Sequence, residues 1–226
     1  MSNNDFLLKN GYFVGNLINF IDDNEYTELK THLEEVYDLF SDKNTDSLKC
    51  RFQYNGPMDH VYPHDISPSQ VIDRETMLSE KGYDTFQRWY YTGAHHHLNN
   101  FNRFFNSTAI KLTNSLYPNH EINIDRFSSN YTLFKNNDFI SNHRDGEDEN
   151  RLCVVLIYLN KTADYITDNG GQLVLVTKEN NTITIPPIFG NFVILDFTKN
   201  NLEHSVTPIQ NDFNRYAYNT FLYHTP

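Results

Sequence analysis

Apolar residues recur at two different periods along the chain, and the period changes near residue 120. In the first half, Tyr26, Leu29, Leu33, Val36, Tyr37 and Phe40 follow helical spacing behind Asp22-Asp23-Asn24, whose side-chain oxygens supply an N-cap. A second helix is predicted over about residues 95–116, with Leu98, Phe101, Phe104, Phe105, Ile110 and Leu112 on one side. Pro118 closes it, because its ring and missing N–H cannot continue the ladder. Gly11-Tyr12-Phe13-Val14 reads as a short strand. Residues 41–66 read as an irregular loop, since Asn55-Gly56-Pro57 and Tyr62-Pro63 punctuate them, and a loop of that length can lie over a site.

The second half is a succession of short β-type runs separated by turns: Arg126–Phe134, Asp138–Asn142, Leu152–Leu159, Gln172–Thr177, Thr182–Ile185, Asn191–Phe197, His204–Pro208 and Tyr216–Tyr223. Gly170-Gly171 and Phe189-Gly190-Asn191 fall between runs, where the chain needs positive φ. Eight such runs after two helices predict an α+β fold: a double-stranded β-helix, or cupin-like jelly roll, with N-terminal flanking helices. A chain of 226 residues is expected to form a single domain, with 1–120 as a mainly helical flank with loops and 121–226 as the jelly-roll core. No internal repeat is visible.

Composition narrows the function classes. A formal net charge of −11 argues against a protein whose main affinity is for phosphate backbones. Two cysteines, Cys50 and Cys153, are too few for a disulfide framework, and Cys153 lies inside an apolar run, where a thiol packs as a small hydrophobe. The N-terminus lacks a basic segment followed by a long apolar stretch, and no apolar run is long enough to span a bilayer, so a cytoplasmic protein without a membrane partner is expected. Aromatics make up 15% of the residues, a level suited to a β-rich core and aromatic-lined pockets.

The candidate chemistry starts at His143-Arg144-Asp145. Residues two apart on an extended segment project to the same side, so His143 and Asp145 can reach one ion. His204, on a later strand, is placed to be a third ligand. Two imidazoles and a carboxylate on one face of an octahedron leave positions open, as Fe(II) oxygen chemistry requires, unlike a closed structural zinc site. Alone, the dyad also fits a solvated turn beside Glu147-Asp148-Glu149, with His204 capping a loop.

Two further pieces weigh against that turn. Arg151-Leu-Cys-Val-Val-Leu-Ile-Tyr158-Leu-Asn160 leads after a loop to Gly170-Gly171-Gln172-Leu173, and His204-Ser-Val206-x-Pro208 is followed by Arg215-Tyr216-Ala217-Tyr218-Asn219. In this order after His-x-Asp, residues 126–224 resemble the 2-oxoglutarate oxygenase superfamily, and within it the prolyl hydroxylase branch that includes the hypoxia-sensing enzymes. The resemblance implies Fe(II) on His143, Asp145 and His204, with 2-oxoglutarate and O2 as cosubstrates and ascorbate as a candidate accessory. Arg215 is the candidate partner of the far carboxylate of 2-oxoglutarate, since its planar fork matches two oxygens. It lies eleven residues after His204, slightly beyond the family's spacing, so Gln210–Asn214 must absorb the difference. Tyr158 is placed to donate to the same carboxylate, although a tyrosine in a buried strand also serves as core. Asn219 stands where similar hydroxylases carry a hydroxyl residue, and Tyr131 is a further candidate facing cosubstrate or substrate if strand alternation holds.

The implied reaction couples decarboxylation of 2-oxoglutarate to succinate and CO2 with oxidation of a substrate. Asp145 points to hydroxylation or oxidative demethylation, because the related halogenases lack that carboxylate. The expected function is a dioxygenase acting on a protein or peptide residue, with proline as target. A hydroxylase of a free amino acid or other small molecule and a non-catalytic cupin-like binding protein are the competing readings; demethylation of nucleic acid is disfavoured by the acidic balance. Of the remaining features, His95-His96-His97 diverge on a helix and read as its solvated start, Trp89-Tyr90-Tyr91 as packing, and Glu147-Asp148-Glu149 beside Arg144 as a solvated loop.

Overall fold

The computed structural model describes residues 2–39, 50–54, 85–90, 96–136, 138–145, 150–160 and 165–225, with side-chain surroundings outside 34–102. It begins with a helix that the periodicity did not announce, α1 (Asn3–Asn10). Its signals are local: Ser2 and Asp5 form a reciprocal capping box, and Gly11 ends it at φ 83°, the left-handed conformation that glycine adopts without a Cβ clash. Strand β1 (Tyr12–Asn16) follows, then α2 (Asp23–Leu39). The expected acidic cap of α2 is Asp22, whose Oδ1 accepts from the N–H groups of Asn24 and Glu25 at 2.9 and 3.0 Å. Leu29 and Leu33 are buried on its inner side, as their spacing requires.

Within the stretch expected to be irregular, Cys50–Tyr54 forms strand β2, which pairs with β3 (Thr85–Tyr90). Cys50–Tyr54 alternates over only five residues among turn residues, and Thr85–Tyr90, with Phe86, Trp89 and Tyr90 apolar, does not alternate. The rest of the 41–66 loop, Tyr91 and His95 lie outside the described residues, as do the side chains of Trp89, Tyr90, His96 and His97. Helix α3 (His96–Leu116) agrees with the expectation to within a residue.

The eight expected β-runs are all present: β4 (Ile122–Phe134), β5 (Phe139–His143), β6 (Arg151–Tyr158), β7 (Leu173–Val176), β8 (Thr182–Ile185), β9 (Asn191–Asp196), β10 (His204–Val206) and β11 (Arg215–His224). The hydrogen-bonded order is β1-β9-β6-β11-β4-β3-β5-β10-β7-β8. The path bends at β3, which pairs with β4 through Arg88–Tyr90 and with β5 through Thr85–Phe86. That bend brings β5-β10-β7-β8 opposite β9-β6-β11-β4, as in a jelly roll.

Two cores result. Between the two layers lie Phe134, Val154, Tyr158, Leu173, Leu175, Val193, Leu195, Val206 and Ala217. On the outer face of the larger layer, Tyr131, Leu133, Val155, Ile157, Ile194, Tyr218 and Leu222 pack against α1, α2 and α3 through Leu7, Leu29, Phe105, Ala109 and Leu112. Cys153 is in this second core, where burial pushes its thiol up to about 12. Among the described residues, no helix is long and apolar enough to cross a membrane.

Candidate metal centre

The ligand candidates come from the smaller layer. His143 ends β5 and His204 begins β10, and the two are directly opposite in register, so their rings meet with centroids 4.4 Å apart. Asp145 follows two residues beyond His143, outside the strand. Its Oδ1 lies 3.8 Å from His143 Nε2 and its Oδ2 3.7 Å from His204 Nε2. A single ion with bonds of roughly 2.1 Å spans such separations.

The imidazoles are oriented for that role by the backbone. His143 Nδ1 lies 2.9 Å from the Ser141 carbonyl, and His204 Nδ1 3.0 Å from the Leu202 carbonyl. With Nδ1–H donated to a carbonyl, the lone pair of each ring resides on Nε2, the atom facing Asp145. Burial, and then the neighbouring His204 ring, hold His143 below the usual imidazole range, while Asp145 opposes the shift. The neutral imidazole that a metal needs is thus favoured. His143, Asp145 and His204 form the one cluster of potential metal ligands among the described residues.

The inner face of β11 carries the second half of the site. Arg215, Ala217, Asn219 and Phe221 point between the layers, and Tyr216, Tyr218 and Leu222 point away, by strict alternation. Arg215 is 2% exposed, yet no acidic side chain among the described residues pairs with it. Its Nε donates to the Gly171 carbonyl at 2.9 Å, and its guanidinium lies over the rings of Phe134 and Tyr158, 4.9 and 5.2 Å from their centroids. Burial draws the guanidinium below its usual value, opposed by Tyr158; burial raises Tyr158, opposed by Arg215. A buried cation held by neutral groups fits an anionic ligand, whose carboxylate would supply the missing counter-charge.

The glycine pair explains how backbone comes so close. Gly170 and Gly171 have φ of 71° and 73°, and a Cβ on Gly170 would sit 1.9 Å from the Pro208 carbonyl oxygen. A Cβ on Gly171 would meet Ile209 Cδ1 at 2.6 Å and Arg215 Cδ at 3.2 Å. In the loop between His204 and Arg215, Asn211 turns the chain in the left-handed region at φ 60°, which asparagine tolerates better than most residues.

Asn219 and Tyr131 fare differently. Asn219 donates through Nδ2 to Asn130 Oδ1 at 3.1 Å, and its Oδ1 is buried without a partner. Asn219 lies four residues along β11 from Arg215 and so faces the same side of the strand. Its orphan oxygen can only accept, so it cannot bind a carboxylate; only its N–H groups could serve 2-oxoglutarate. Tyr131 faces the helices, stacked edge-on against Phe105 and Tyr218 at 6.1 and 4.7 Å. It pairs with Tyr218 across the strands, so the alternation that turns Arg215 and Asn219 inward turns Tyr131 outward, away from the cosubstrate or substrate it was expected to face.

Three residues with no role assigned from sequence support the site. Asn160 donates to the Asn214 carbonyl at 2.5 Å and accepts from the Tyr216 N–H at 2.9 Å, gripping the backbone on both sides of Arg215. Its place in Tyr-Leu-Asn was the available signal. Asn201 donates to the Asp145 carbonyl at 2.7 Å, and Glu203 accepts from Asn142 at 2.9 Å; neither carries a sequence signal. The acidic run 147–149 lies outside the described residues.

Comparison with known proteins agrees with this geometry. Residues 128–223 match the family model of the 2OG-Fe(II) oxygenase superfamily, which uses Fe(II), 2-oxoglutarate and O2. No curated protein sequence matches the chain. Among solved structures, a Pseudomonas putida prolyl-4-hydroxylase is 14% identical with a TM-score of 0.59, covering 99% of this chain and 97% of that one. A prolyl hydroxylase from Trichoplax adhaerens, in complex with a hypoxia inducible factor oxygen degradation domain peptide fragment, is 19% identical at TM-score 0.64, with 97% and 86% covered. The α-ketoglutarate-dependent epimerase SnoN from nogalamycin biosynthesis is 11% identical at 0.59, with 97% and 80% covered. At these identities the likeness is one of fold, and the jelly-roll α+β class is shared throughout.

Proposed function

We propose that the chain is a non-haem Fe(II)- and 2-oxoglutarate-dependent dioxygenase that hydroxylates a protein or peptide residue, with proline the expected target; the family-model match over residues 128–223 supports this reading. The observation that carries this reading is the joint presence, between the same two layers, of an open His143-Asp145-His204 set and a buried Arg215 without an acidic partner. When bound, the iron would supply the oxygen-activating chemistry, held by His143 Nε2, Asp145 and His204 Nε2.

The chain's own residues do the rest. Arg215 binds the far carboxylate of 2-oxoglutarate, and Tyr158, beside the guanidinium, donates its hydroxyl to the same group. Phe134, Val154, Leu175, Val193 and Val206 keep water from the space between the layers, which strengthens that ion pair. Asn219 contributes through its N–H groups, Nδ2 being also committed to Asn130. Tyr131 has no part in this reading. The peptide carried by the Trichoplax enzyme and the prolyl-4-hydroxylase resemblance support a prolyl peptide as substrate.

The test is succinate release from 2-oxoglutarate with Fe(II), alongside a panel of proline-containing peptides and free proline read by the mass gain of one oxygen atom. The expected result is turnover by the unaltered chain, its abolition in His204→Ala, and a gain on a peptide. Undiminished turnover in His204→Ala would overturn the metal assignment, and a gain on free proline alone would replace the peptide with a small-molecule substrate.

A further inference from the structure

We infer that Asn201 and Glu203 are positioning residues for the metal centre, a side-chain clasp that fixes the His143–Asp145 segment against His204 and thereby sets metal affinity. The inference rests on the metal-centre reading above. Its starting observation is a weakness in the backbone at the place where the ligands must be held. The β5–β10 pairing has a register shift between His204 and Val206, and Asp145 lies beyond the end of β5. Strand hydrogen bonds alone therefore do not fix Asp145 relative to the two imidazoles.

The segment preceding His204 bridges that gap. Asn201 Nδ2 donates to the Asp145 carbonyl at 2.7 Å, holding the backbone of the carboxylate ligand directly. Glu203 accepts at Oε2 from Asn142 Nδ2 at 2.9 Å and at Oε1 from Arg144 Nη2 at 3.4 Å, so it grips the residues on both sides of His143. Glu203 is itself anchored, because its carbonyl accepts from the Val176 N–H at 2.9 Å on the neighbouring strand. Arg144 and Glu203 are 62% and 40% exposed, so their ion pair adds little to stability; its effect is to restrict where Arg144, and with it the turn from His143 to Asp145, can sit. Asn201 keeps its Oδ1 buried without a partner, an arrangement unfavourable for folding alone and consistent with a residue retained for the donor it directs at Asp145.

Groups that orient metal ligands from outside the coordination sphere act on affinity, so the probe is Mn(II), which is stable in air and whose free ion is read by paramagnetic resonance. The chains compared are the unaltered protein, Asn201→Asp, which keeps shape but aims a carboxylate oxygen at the Asp145 carbonyl, and Glu203→Gln, which keeps one acceptor of two. The expected result is Mn(II) binding weakened about tenfold or more in Asn201→Asp and several-fold in Glu203→Gln, with the thermal midpoint of the metal-free chains unchanged. Affinities within about twofold of the unaltered chain in both variants would overturn the clasp. So would a loss of affinity matched by melting of the metal-free variants, since the residues would then be structural. Failure of the unaltered chain to bind Mn(II) would instead sink the metal-centre reading itself.

Discussion

Arg215 shows most directly how a residue can oppose stability and serve a site. Its hydrogen bond to Gly171 and its contacts with Phe134 and Tyr158 contribute on the order of 2–4 kcal/mol together. Removing an unpaired guanidinium from water costs several kcal/mol, so the desolvation term wins or at least cancels the contacts. Arg215→Met is therefore expected to leave the ligand-free chain as stable as before or more stable in urea. 2-Oxoglutarate at about a hundred times its dissociation constant should stabilise the unaltered chain by about 2.7 kcal/mol, and the variant not at all. A variant that unfolds without ligand would show Arg215 to be a structural residue. The same residue was legible in the sequence because Tyr-Ala follows it, whereas Asn201 and Glu203 were not assigned: a side chain whose partners lie on a distant segment leaves no local pattern. Tyr131 was misplaced for a related reason, since alternation gives relative direction along a strand and cross-strand register gives the absolute one.

At the scale of elements, the Gly170-Gly171 turn is where two strands and one guanidinium meet. Gly170→Ala forces a Cβ to within 1.9 Å of a backbone oxygen at φ 71°, and no flexible side chain is there to yield. A loss of at least about 2 kcal/mol is expected in urea unfolding, and a loss below about 0.5 kcal/mol would mean that the turn relaxes freely. Elements with a long period or clean alternation, such as α3 and β4 to β11, were legible to within a few residues. α1 was not, because a helix of 8 residues offers too few turns for periodicity, and its signature is in the Ser2–Asp5 box and Gly11. β2 and β3 were not, because their stability comes from the sheet they join and little of it from their own five or six residues.

Across the whole molecule, the first strand guards an edge that the jelly roll does not close. β1 pairs with β9 from Tyr12–Leu195 to Asn16–Asn191, and Leu7, Phe13 and Leu17 are buried behind it. Deleting residues 2–21 would remove roughly 1.5–3 kcal/mol of burial for each of those side chains and bare the backbone of an apolar strand. Aggregation on light scattering is expected; a monomeric deletion variant would show that β9 tolerates an open edge. The placement of β11 has a consequence for biogenesis. β11 lies between β4 and β6 inside the larger layer, although it is later in sequence than both. During synthesis β4 and β6 are not joined until residues 215–224 leave the ribosome, so folding waits on translation, with apolar strands exposed meanwhile to chaperones or to one another. The arginine that would bind the cosubstrate arrives on that same strand, so the pocket and the fold are completed by one event.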